Sequence, residues 1–530
     1  MTSSSIGAPR EPARAYAVLA TACLAAFAIN LDTTIVNVAL PDMSRELGAT
    51  TRDLQWVVDG YNLAFAALVL TAGSLGDRFG RRPALLVGLA AFALASAAGG
   101  FAGSTGALTA ARVAMGTAAA LVFPTTLSVI TNAFPDRRER ARAVGVWGAV
   151  TGLGVAVGPL TGGLLLEHFA WPAVFFALVP VALLALAAAY VVVPESRDRD
   201  AARLDPPGLL ASTAAISVLV WTIIEAPHRG WAAPATLAGF AGTVALVIAF
   251  VTLERRARHP MIDMSLFRTP AFSAASGAVT VAYFALFGFI FLVTLYFQLI
   301  RGYGTLSTGV RILPVALTIA LGSVAGVALV PRLGTRAVVA TGLLLLGSSF
   351  GWIAVSPAGM PYSRIVAQMV LMGLGLGLTT APATESILSV LPAAKAGTGS
   401  AVNDATREAG GTLGVAVIGS VFTSLYADSL GSSGFAALPA DVVRVGQDSV
   451  AAALRVAATA PPAARTGLLL DVQNSFMSAF HAGSLVAGGV CVLGVLGALA
   501  LPGRRTQTHV ELVAEDELRM TADLPVPARS

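Results

Sequence analysis

Long apolar stretches dominate this chain and alternate with short polar segments. A helix needs about 20 mostly apolar residues to cross a hydrocarbon core about 30 Å thick. Fourteen stretches are long and apolar enough: 15–41, 54–75, 83–103, 106–130, 143–166, 172–193, 208–225, 234–253, 272–300, 306–330, 336–356, 362–391, 398–426 and 476–501. A transmembrane barrel would instead show short segments of alternating polarity. The pattern therefore predicts an all-α polytopic membrane protein with 14 transmembrane helices.

The composition supports a membrane protein and excludes several other classes. Of the 530 residues, 56% are apolar and 12% are charged. The charged fraction is about half that of an average soluble domain, which argues against a soluble globular, disordered or disulfide-scaffold protein. The net charge of +5 comes from arginines placed between the apolar stretches. We therefore expect the protein to lie in a lipid bilayer and to have no nucleic acid as a partner.

The basic residues predict the orientation of the helices. With the N-terminus in the cytoplasm, 23 of the 34 Lys and Arg residues fall on the inside and 8 on the outside, and the other three lie within spans. Because cytoplasmic loops carry an excess of Lys and Arg, this distribution favours both termini in the cytoplasm and an even number of spans.

A weak internal repeat suggests two related halves. The loop at 77–82 reads DRFGRR and the loop at 331–336 reads PRLGTR, so three of six columns match across eight helices. Internal repeats with a binding site at their interface are typical of secondary transporters. The spacing predicts a 6+2+6 plan. Its parts are an N-tail 1–14, a first six-helix half 15–193, a linker with two inserted helices 194–271, a second half 272–501 that includes an outer loop 427–475, and a C-tail 502–530.

Several ordered motifs carry a family resemblance. Helix 1 ends with LDTTIVNVALP at 31–41, the loop after helix 2 reads GSLGDRFGRR at 73–82, helix 13 begins with GSAVND at 399–404, and a further match runs from Tyr296 to Pro314. The matching residues of the loop are Gly73, Asp77, Arg78, Gly80, Arg81 and Arg82, and those of helix 5 are Gly154, Gly158, Pro159, Gly162 and Gly163. Together these motifs resemble the major facilitator superfamily, specifically its fourteen-helix drug:proton antiporter branch (the EmrB/QacA group).

The resemblance implies a major facilitator fold and a proton-coupled multidrug efflux antiporter in the cytoplasmic membrane of a bacterium. Its expected partners are a small hydrophobic or cationic drug and protons. The resemblance implies no cofactor beyond the proton gradient and no obligate protein partner. It also implies that the loop after helix 2 is a latch that opens during alternating access, and that the helix 5 motif favours exchange over symport.

Physical chemistry leaves simpler interpretations of these two motifs open. The arginines of the 77–82 loop hold the topology, and Asp77 either pairs with an arginine or lies at a helix N-terminus, where a carboxylate is favoured. In helix 5, glycines four residues apart give a flat face for a neighbouring helix, and Pro159 removes one backbone hydrogen bond. The alternatives are therefore a topology anchor and plain helix packing.

Charged residues inside the spans of the first half are the strongest functional candidates, because charges in a membrane are costly and usually functional. At 1.5 Å per residue, Asp32 lies about 12 Å, Asp59 about 8 Å and Arg112 about 9 Å from the outer ends of their helices. This shared layer allows an Asp–Arg pair, which leaves the second acid to bind a proton or a cation. We expect Asp32 and Asp59 to carry the proton and the cation, with Arg112 tuning Asp32. The alternative is a static ion pair.

The position of Asp59 also bears on the substrate. An acid at this place in the segment 56–61 resembles pumps for lipophilic cations. A carboxylate and aromatic side chains in an apolar cavity suit such a cation. The aromatic candidates are Tyr61, Phe65 and Phe123, with ordinary core packing as the alternative.

The second half contributes further acidic candidates. Glu385 follows Pro382 in helix 12 and either contacts proton or substrate or is a solvated residue near the helix end. Asp404, Arg407 and Glu408 share one face of helix 13. For Asp404 and Arg407 an intrahelical salt bridge is the favoured interpretation, and Glu408 is the better functional candidate.

The sequence offers nothing for an enzyme. It contains no phosphate-binding Gly-Lys-Ser/Thr loop, no zinc-like Cys/His spacing and no nucleophile–base constellation. We therefore expect no metal, no catalytic residue and a secondary active transporter. The alternatives to multidrug efflux are a dedicated exporter of one endogenous antibiotic, a nutrient symporter and a non-transporting membrane receptor.

Overall fold

The computed structural model describes residues 12–197, 205–257, 260–390, 396–501 and 503. The regular elements in these ranges are helices. The α-helices are α1 Pro12–Glu46, α2 Thr51–Phe79, α3 Arg81–Gly100, α4 Thr105–Ala133, α5 Arg137–His168, α6 Pro172–Val192, α7 Pro206–Arg229, α8 Pro234–Arg256, α9 Pro270–Leu295, α10 Thr305–Leu333, α11 Thr335–Ile353, α12 Tyr362–Ser389, α13 Ala396–Gly431, α14 Ala440–Asp448, α15 Val450–Thr459 and α16 Pro462–Ala498. A π-helical turn, Tyr296–Ile300, continues α9, and 3₁₀ turns occupy Leu266–Arg268 and Gly434–Ala437.

The all-helical membrane architecture expected from the sequence is confirmed at the level of the described residues. Thirteen helices in these ranges are long and apolar enough to cross a membrane. They are α1, α3 to α13 and α16. The remaining expected span corresponds to α2, which has 29 residues. The count of 14 spans and the cytoplasmic position of both termini stay predictions.

The helices form two bundles with the same pattern of neighbours. In the N-terminal bundle (α1–α6), α1 packs on α4, α5 and α6, α2 packs on α4, and α3 packs on α4 and α6. In the C-terminal bundle (α9–α13 and α16), α9 packs on α12, α13 and α16, α10 packs on α12, and α11 packs on α12 and α16. The bundles meet along two seams, α2 with α13 and α5 with α10. The α7–α8 hairpin lies outside this repeat, with α7 against both α2 and α13.

The weak loop repeat of the sequence corresponds to two equivalent turns. Gly80 joins α2 to α3 with φ 115°, and Gly334 joins α10 to α11 with φ 82°. Each N–H donates to the carbonyl four residues earlier, at N···O distances of 3.0 Å from Gly80 and 2.8 Å from Gly334. Positive φ is accessible to glycine without the steric cost that a Cβ imposes. The glycine shared by both loops is therefore required by the backbone.

Side-chain caps define where several helices start. Thr50 and Asp53 form a capping box at α2, and the carboxylate of Asp136 accepts the N–H groups of residues 138 and 139 at the start of α5. Ser104 and Asp205 cap α4 and α7 in the same way. These side chains satisfy backbone donors that have no partner within the helix.

The segment expected as an outer loop at 427–475 is largely helical. α13 continues to Gly431 and α16 begins at Pro462, so only 432–461 connects them, and this connection contains α14 and α15. The search for spans did not find α14 and α15 because these helices have 9 and 10 residues, and about 20 are needed to cross a membrane. We call the side of the bundles that carries 432–461 the loop end, and the side where α1 begins and α16 ends the terminal end.

We predict that Gly334→Ala destabilises the protein by about 1 kcal/mol, because an L-residue at this φ has its Cβ too close to the backbone. The thermal unfolding midpoint of the detergent-solubilised protein should fall. Gly359→Ala is the matched control, since a Cβ there would contact nothing within 4 Å. Equal midpoints for the two variants would contradict the prediction.

Candidate functional site

A buried ion pair joins α1 to α4 in the interior of the N-terminal bundle. Arg112 Nη1 lies 2.6 Å from Asp32 Oδ2, and the two side chains are 1% and 0% exposed. Arg112 Nε also donates to the carbonyl of Val57 at 3.0 Å, and its guanidinium lies 4.4 Å from the centre of the Tyr61 ring. The Tyr61 hydroxyl donates to the carbonyl of Ile29 at 3.2 Å. One arginine thus connects three helices and neutralises Asp32.

Asp59 is a second buried acid of the first bundle, and it is not part of the Asp32–Arg112 ion pair. Its side chain is fully buried, and neither carboxylate oxygen has a hydrogen-bond partner among the described residues. Asn62, one turn along α2, is in the same situation at both amide atoms and is 1% exposed. Buried polar groups without partners are costly and rare. Asn62 is not among the candidates predicted from the sequence, although its i, i+3 spacing from Asp59 is a signal that indicates it.

Gln55 on α2 spans the seam to the C-terminal bundle. Its Nε2 lies 3.3 Å from the carbonyls of Val415 and Ala416 and 3.4 Å from Ser420 Oγ. A Cβ at Gly419 would lie 2.5 Å from this nitrogen, so the glycine makes room for the amide. Gln55 was not recognised from sequence, because a lone Gln near a helix start carries no distinctive pattern.

The acidic cluster of α13 lies in the C-terminal bundle. Arg407 Nη1 is 3.6 Å from Asp404 Oδ1, and its guanidinium lies 4.7 Å from the centre of the Tyr283 ring. This is the intrahelical salt bridge considered from the sequence. Glu408 is buried, and its Oε2 has no hydrogen-bond partner among the described residues. Glu385 is exposed on α12. The functional roles of these acids stay predictions.

The glycines of α5 allow two different close contacts. A Cβ at Gly154 would lie 3.0 Å from a backbone oxygen of α1, and one at Gly162 would lie 2.9 Å from the carbonyl oxygen of Ile35. Gly163 faces the other bundle, where a Cβ would lie 2.7 Å from Leu306 Cα on α10. The same short motif therefore allows α5 to pack against its own bundle and to form the α5–α10 seam.

Thr34 on α1 compensates for the proline in α5. Pro159 has no N–H, so the carbonyl of Val155, four residues earlier, loses its helical partner. Thr34 Oγ1 donates to that carbonyl at 3.0 Å. The hydroxyl occupies the space where a Cβ on Gly158 would be. The helix 1 and helix 5 motifs are thus two sides of one interface, which the separate motifs did not reveal.

The described contacts of the loop after α2 are to the end of the first bundle. The N–H of Arg81 donates to the carbonyl of Ser196 at 2.9 Å, and Arg82 Nη2 donates to the carbonyl of Tyr190 at 2.6 Å. The side chain of Asp77 lies outside the described part of the structure. The latch between halves therefore stays a prediction.

The aromatic candidates of the first bundle are buried against one another. The ring centres of Tyr61 and Phe65 are 6.0 Å apart, those of Phe65 and Phe123 are 5.8 Å apart, and Phe123 lies 5.1 Å from Trp147. Tyr61 also lies on the Arg112 guanidinium. In the described conformation these rings pack the bundle core.

The two bundles are held together at the loop end. Gln298 Nε2 donates to the carbonyl of Val38 at 2.8 Å, and Thr305 Oγ1 donates to the carbonyl of Gly163 at 3.4 Å. Together with Gln55, these side chains close the loop end between the bundles. Among the described residues, no group of three or more His, Cys, Asp or Glu side chains is arranged to hold a metal ion.

Comparisons of the sequence agree with this architecture. The sequence profile of the Major Facilitator Superfamily matches residues 22–415. The multidrug efflux pump LfrA of Mycolicibacterium smegmatis is 34% identical over 494 residues, which cover 93% of this chain and 97% of that protein. The tetracenomycin C resistance and export protein of Streptomyces glaucescens is 34% identical over 524 residues, covering 97% of this chain and 95% of that protein.

A solved structure gives the same fold at low sequence identity. The bacterial homolog of the human lysosomal transporter Spinster, in an inward-facing and unoccupied conformation, has a TM-score of 0.66 and 15% identity, covering 93% of this chain and 98% of that chain. This likeness supports the helical architecture alone.

We predict that Arg112→Met destabilises the protein by about 3 kcal/mol, because it leaves a buried carboxylate without its counter-ion. The double variant Arg112→Met/Asp32→Asn should recover part of this loss, since no uncompensated charge remains. Thermal unfolding in detergent gives the comparison. A double variant no more stable than Arg112→Met would show that the pair contributes little through its charge.

We predict that Thr34→Val impairs folding or transport because it leaves the Val155 carbonyl without a donor, at a cost of about 1–3 kcal/mol. In a Pro159→Ala background the new N–H supplies that donor, so Thr34→Val should then cost little. A double-mutant cycle on unfolding midpoints measures this coupling. Additive effects would contradict the assigned role of the Thr34 hydroxyl.

Proposed function

The chain belongs to the Major Facilitator Superfamily, and on that premise we propose that it is a proton-coupled multidrug efflux antiporter. It would export hydrophobic, cationic drugs across the cytoplasmic membrane of a bacterium. The observation that carries this proposal is the buried Asp59 carboxylate, which has no partner among the described residues, next to an Asp32 that Arg112 already neutralises.

The proposed coupling is a competition for Asp59. A charged carboxylate in an apolar interior is unfavourable until it is neutralised. A proton or a cationic drug can each neutralise it, but both together would restore a net charge. Protonation from the outside therefore releases the drug, and loss of the proton to the cytoplasm readmits one. The charges of the Asp32–Arg112 pair contribute to the electrostatic potential at Asp59.

The proposed topology completes the cycle. We assign α2 as the fourteenth span, arrange the chain as 6+2+6, and place the terminal end in the cytoplasm, in line with the distribution of Lys and Arg. In this orientation the contacts of Gln55, Gln298 and Thr305 at the loop end close the outer side. The described conformation then corresponds to a transporter that loads its substrate from the cytoplasm. Rocking of one bundle against the other would expose the site to the outside.

A dedicated exporter of one antibiotic is the second candidate. It is favoured by the relative whose name links it to tetracenomycin C alone. The same site chemistry would serve it, so the breadth of transported compounds distinguishes the two candidates.

The test is ethidium flux in inverted membrane vesicles, with a proton gradient imposed and then collapsed. We expect gradient-driven uptake by the unmodified chain and a loss of about tenfold or more in Asp32→Asn and Asp59→Asn, because each variant removes a buried carboxylate from the coupling layer. Asp441→Asn, a change at an exposed acid of α14, is the control and should retain uptake.

Two results would contradict this proposal. Uptake that continues unchanged after the gradient is collapsed would exclude proton coupling. A folded, unmodified chain that transports no ethidium would exclude the broad cation substrate and leave the dedicated exporter.

A further inference from the structure

Buried polar side chains of α2 and α13 have atoms without hydrogen-bond partners among the described residues. Both carboxylate oxygens of Asp59 and both amide atoms of Asn62 lack partners, as do Gln55 Oε1 and Glu408 Oε2. Asp59 and Asn62 lie three residues apart and so share one face of α2. Unsatisfied buried groups of this kind need an explanation, and a bound polar ligand is one.

Gln55 indicates the direction in which these side chains point. Residues 55, 59 and 62 fall within a narrow arc of α2 at 100° per residue. Gln55 contacts residues 415–420 of α13. Because the two helices run antiparallel, moving seven residues from Gln55 to Asn62 corresponds to moving back along α13 to about 408–412.

The α7 helix covers this seam from one side. Its buried side chains Ile223 and Ile224 form an apolar cluster with Ala416 of α13, against which Trp56 and Leu63 of α2 pack. Trp56 and Leu63 lie one turn on either side of Asp59. α7 thus covers the residues of α2 that flank Asp59.

We propose that Asn62 is a specificity-determining residue, and that with Asp59 it selects protonated amines bearing a nearby oxygen, such as amino alcohols and amino sugars. This inference rests on the proposed function and names the substrate class of that site. The carboxylate of Asp59 and the amide oxygen of Asn62 accept N–H donors from the ammonium group. The amide nitrogen of Asn62 donates to a hydroxyl or ether oxygen of the substrate.

Permanent cations without N–H groups can form only some of these interactions. A quaternary or phosphonium cation is attracted by the charge of Asp59 but cannot donate a hydrogen bond to Asn62. Removal of the Asn62 amide should therefore weaken the binding of protonated amines more than the binding of permanent cations. Glu408, across the seam, adds a second carboxylate within the same layer.

The experiment compares two probes on purified, full-length protein in detergent. Doxorubicin carries an ammonium group beside a hydroxyl, and tetraphenylphosphonium carries charge without a donor. Equilibrium binding of each probe is measured for the unmodified chain, Asn62→Leu and Asn62→Ala, and gradient-driven uptake is measured in vesicles. Gln368→Leu is the matched control, because it removes a buried amide whose partner, Ser356, lies elsewhere in the C-terminal bundle.

We expect Asn62→Leu to weaken doxorubicin binding about tenfold or more, the effect of losing a hydrogen bond to a charged group, while tetraphenylphosphonium binding stays within about twofold. Asn62→Ala should give the same contrast if the leucine variant does not fold. Equal losses for both probes, or no loss for either, would overturn the inference. Binding without gradient-driven uptake by the unmodified chain would refute the proposed antiport alone, and binding of neither probe would refute both.

Discussion

The cost of a charge without a partner in hydrocarbon is the constraint on which this molecule depends. Water is absent from the interior of a bilayer, so each polar group must be satisfied within the protein or by a ligand. Arg112 supplies the counter-charge of Asp32 at 2.6 Å and donates from Nε to the backbone of α2. Asp59, by contrast, is equally buried and has no partner among the described residues. The proposed coupling rests on this contrast between a carboxylate with a counter-ion and one without a partner.

Close contact between helices is the second requirement, and small residues provide it. Lipid chains are as apolar as leucine, so membrane helices associate through packing and hydrogen bonds rather than through the hydrophobic effect. On α5, Gly154 and Gly162 admit the backbone of α1, and Gly163 admits α10 of the other bundle. Thr34 then supplies the hydrogen bond that Pro159 removes. A short motif therefore serves both the packing within the first bundle and the α5–α10 seam.

The repeated plan of the bundles is broken in one informative place. The two seams are equivalent by helix position, and among the described residues α7 packs on the α2–α13 seam. Gln55 contacts α13 across that seam, and Asp59 and Asn62 lie within the same arc of α2. The hairpin adds apolar contacts to α2 and α13 beside these residues. The segment at the loop end, where Ser44 and Ser449 approach to 3.3 Å, adds a further contact between the bundles.

The sequence by itself determined the helical class, most of the spans and the candidate charges, because hydropathy and the cost of buried charge are local properties. It also identified the glycine repeated at Gly80 and Gly334, which the backbone requires. It favoured Asp32 as the acid that Arg112 tunes, but the contact itself depends on the rotation of α1, α2 and α4 about their axes. Only the tertiary structure decided that Thr34 serves a carbonyl of α5 and that Asn62 lies unpartnered beside Asp59. These relations join residues far apart in the chain, and their geometry is set by packing rather than by any local pattern.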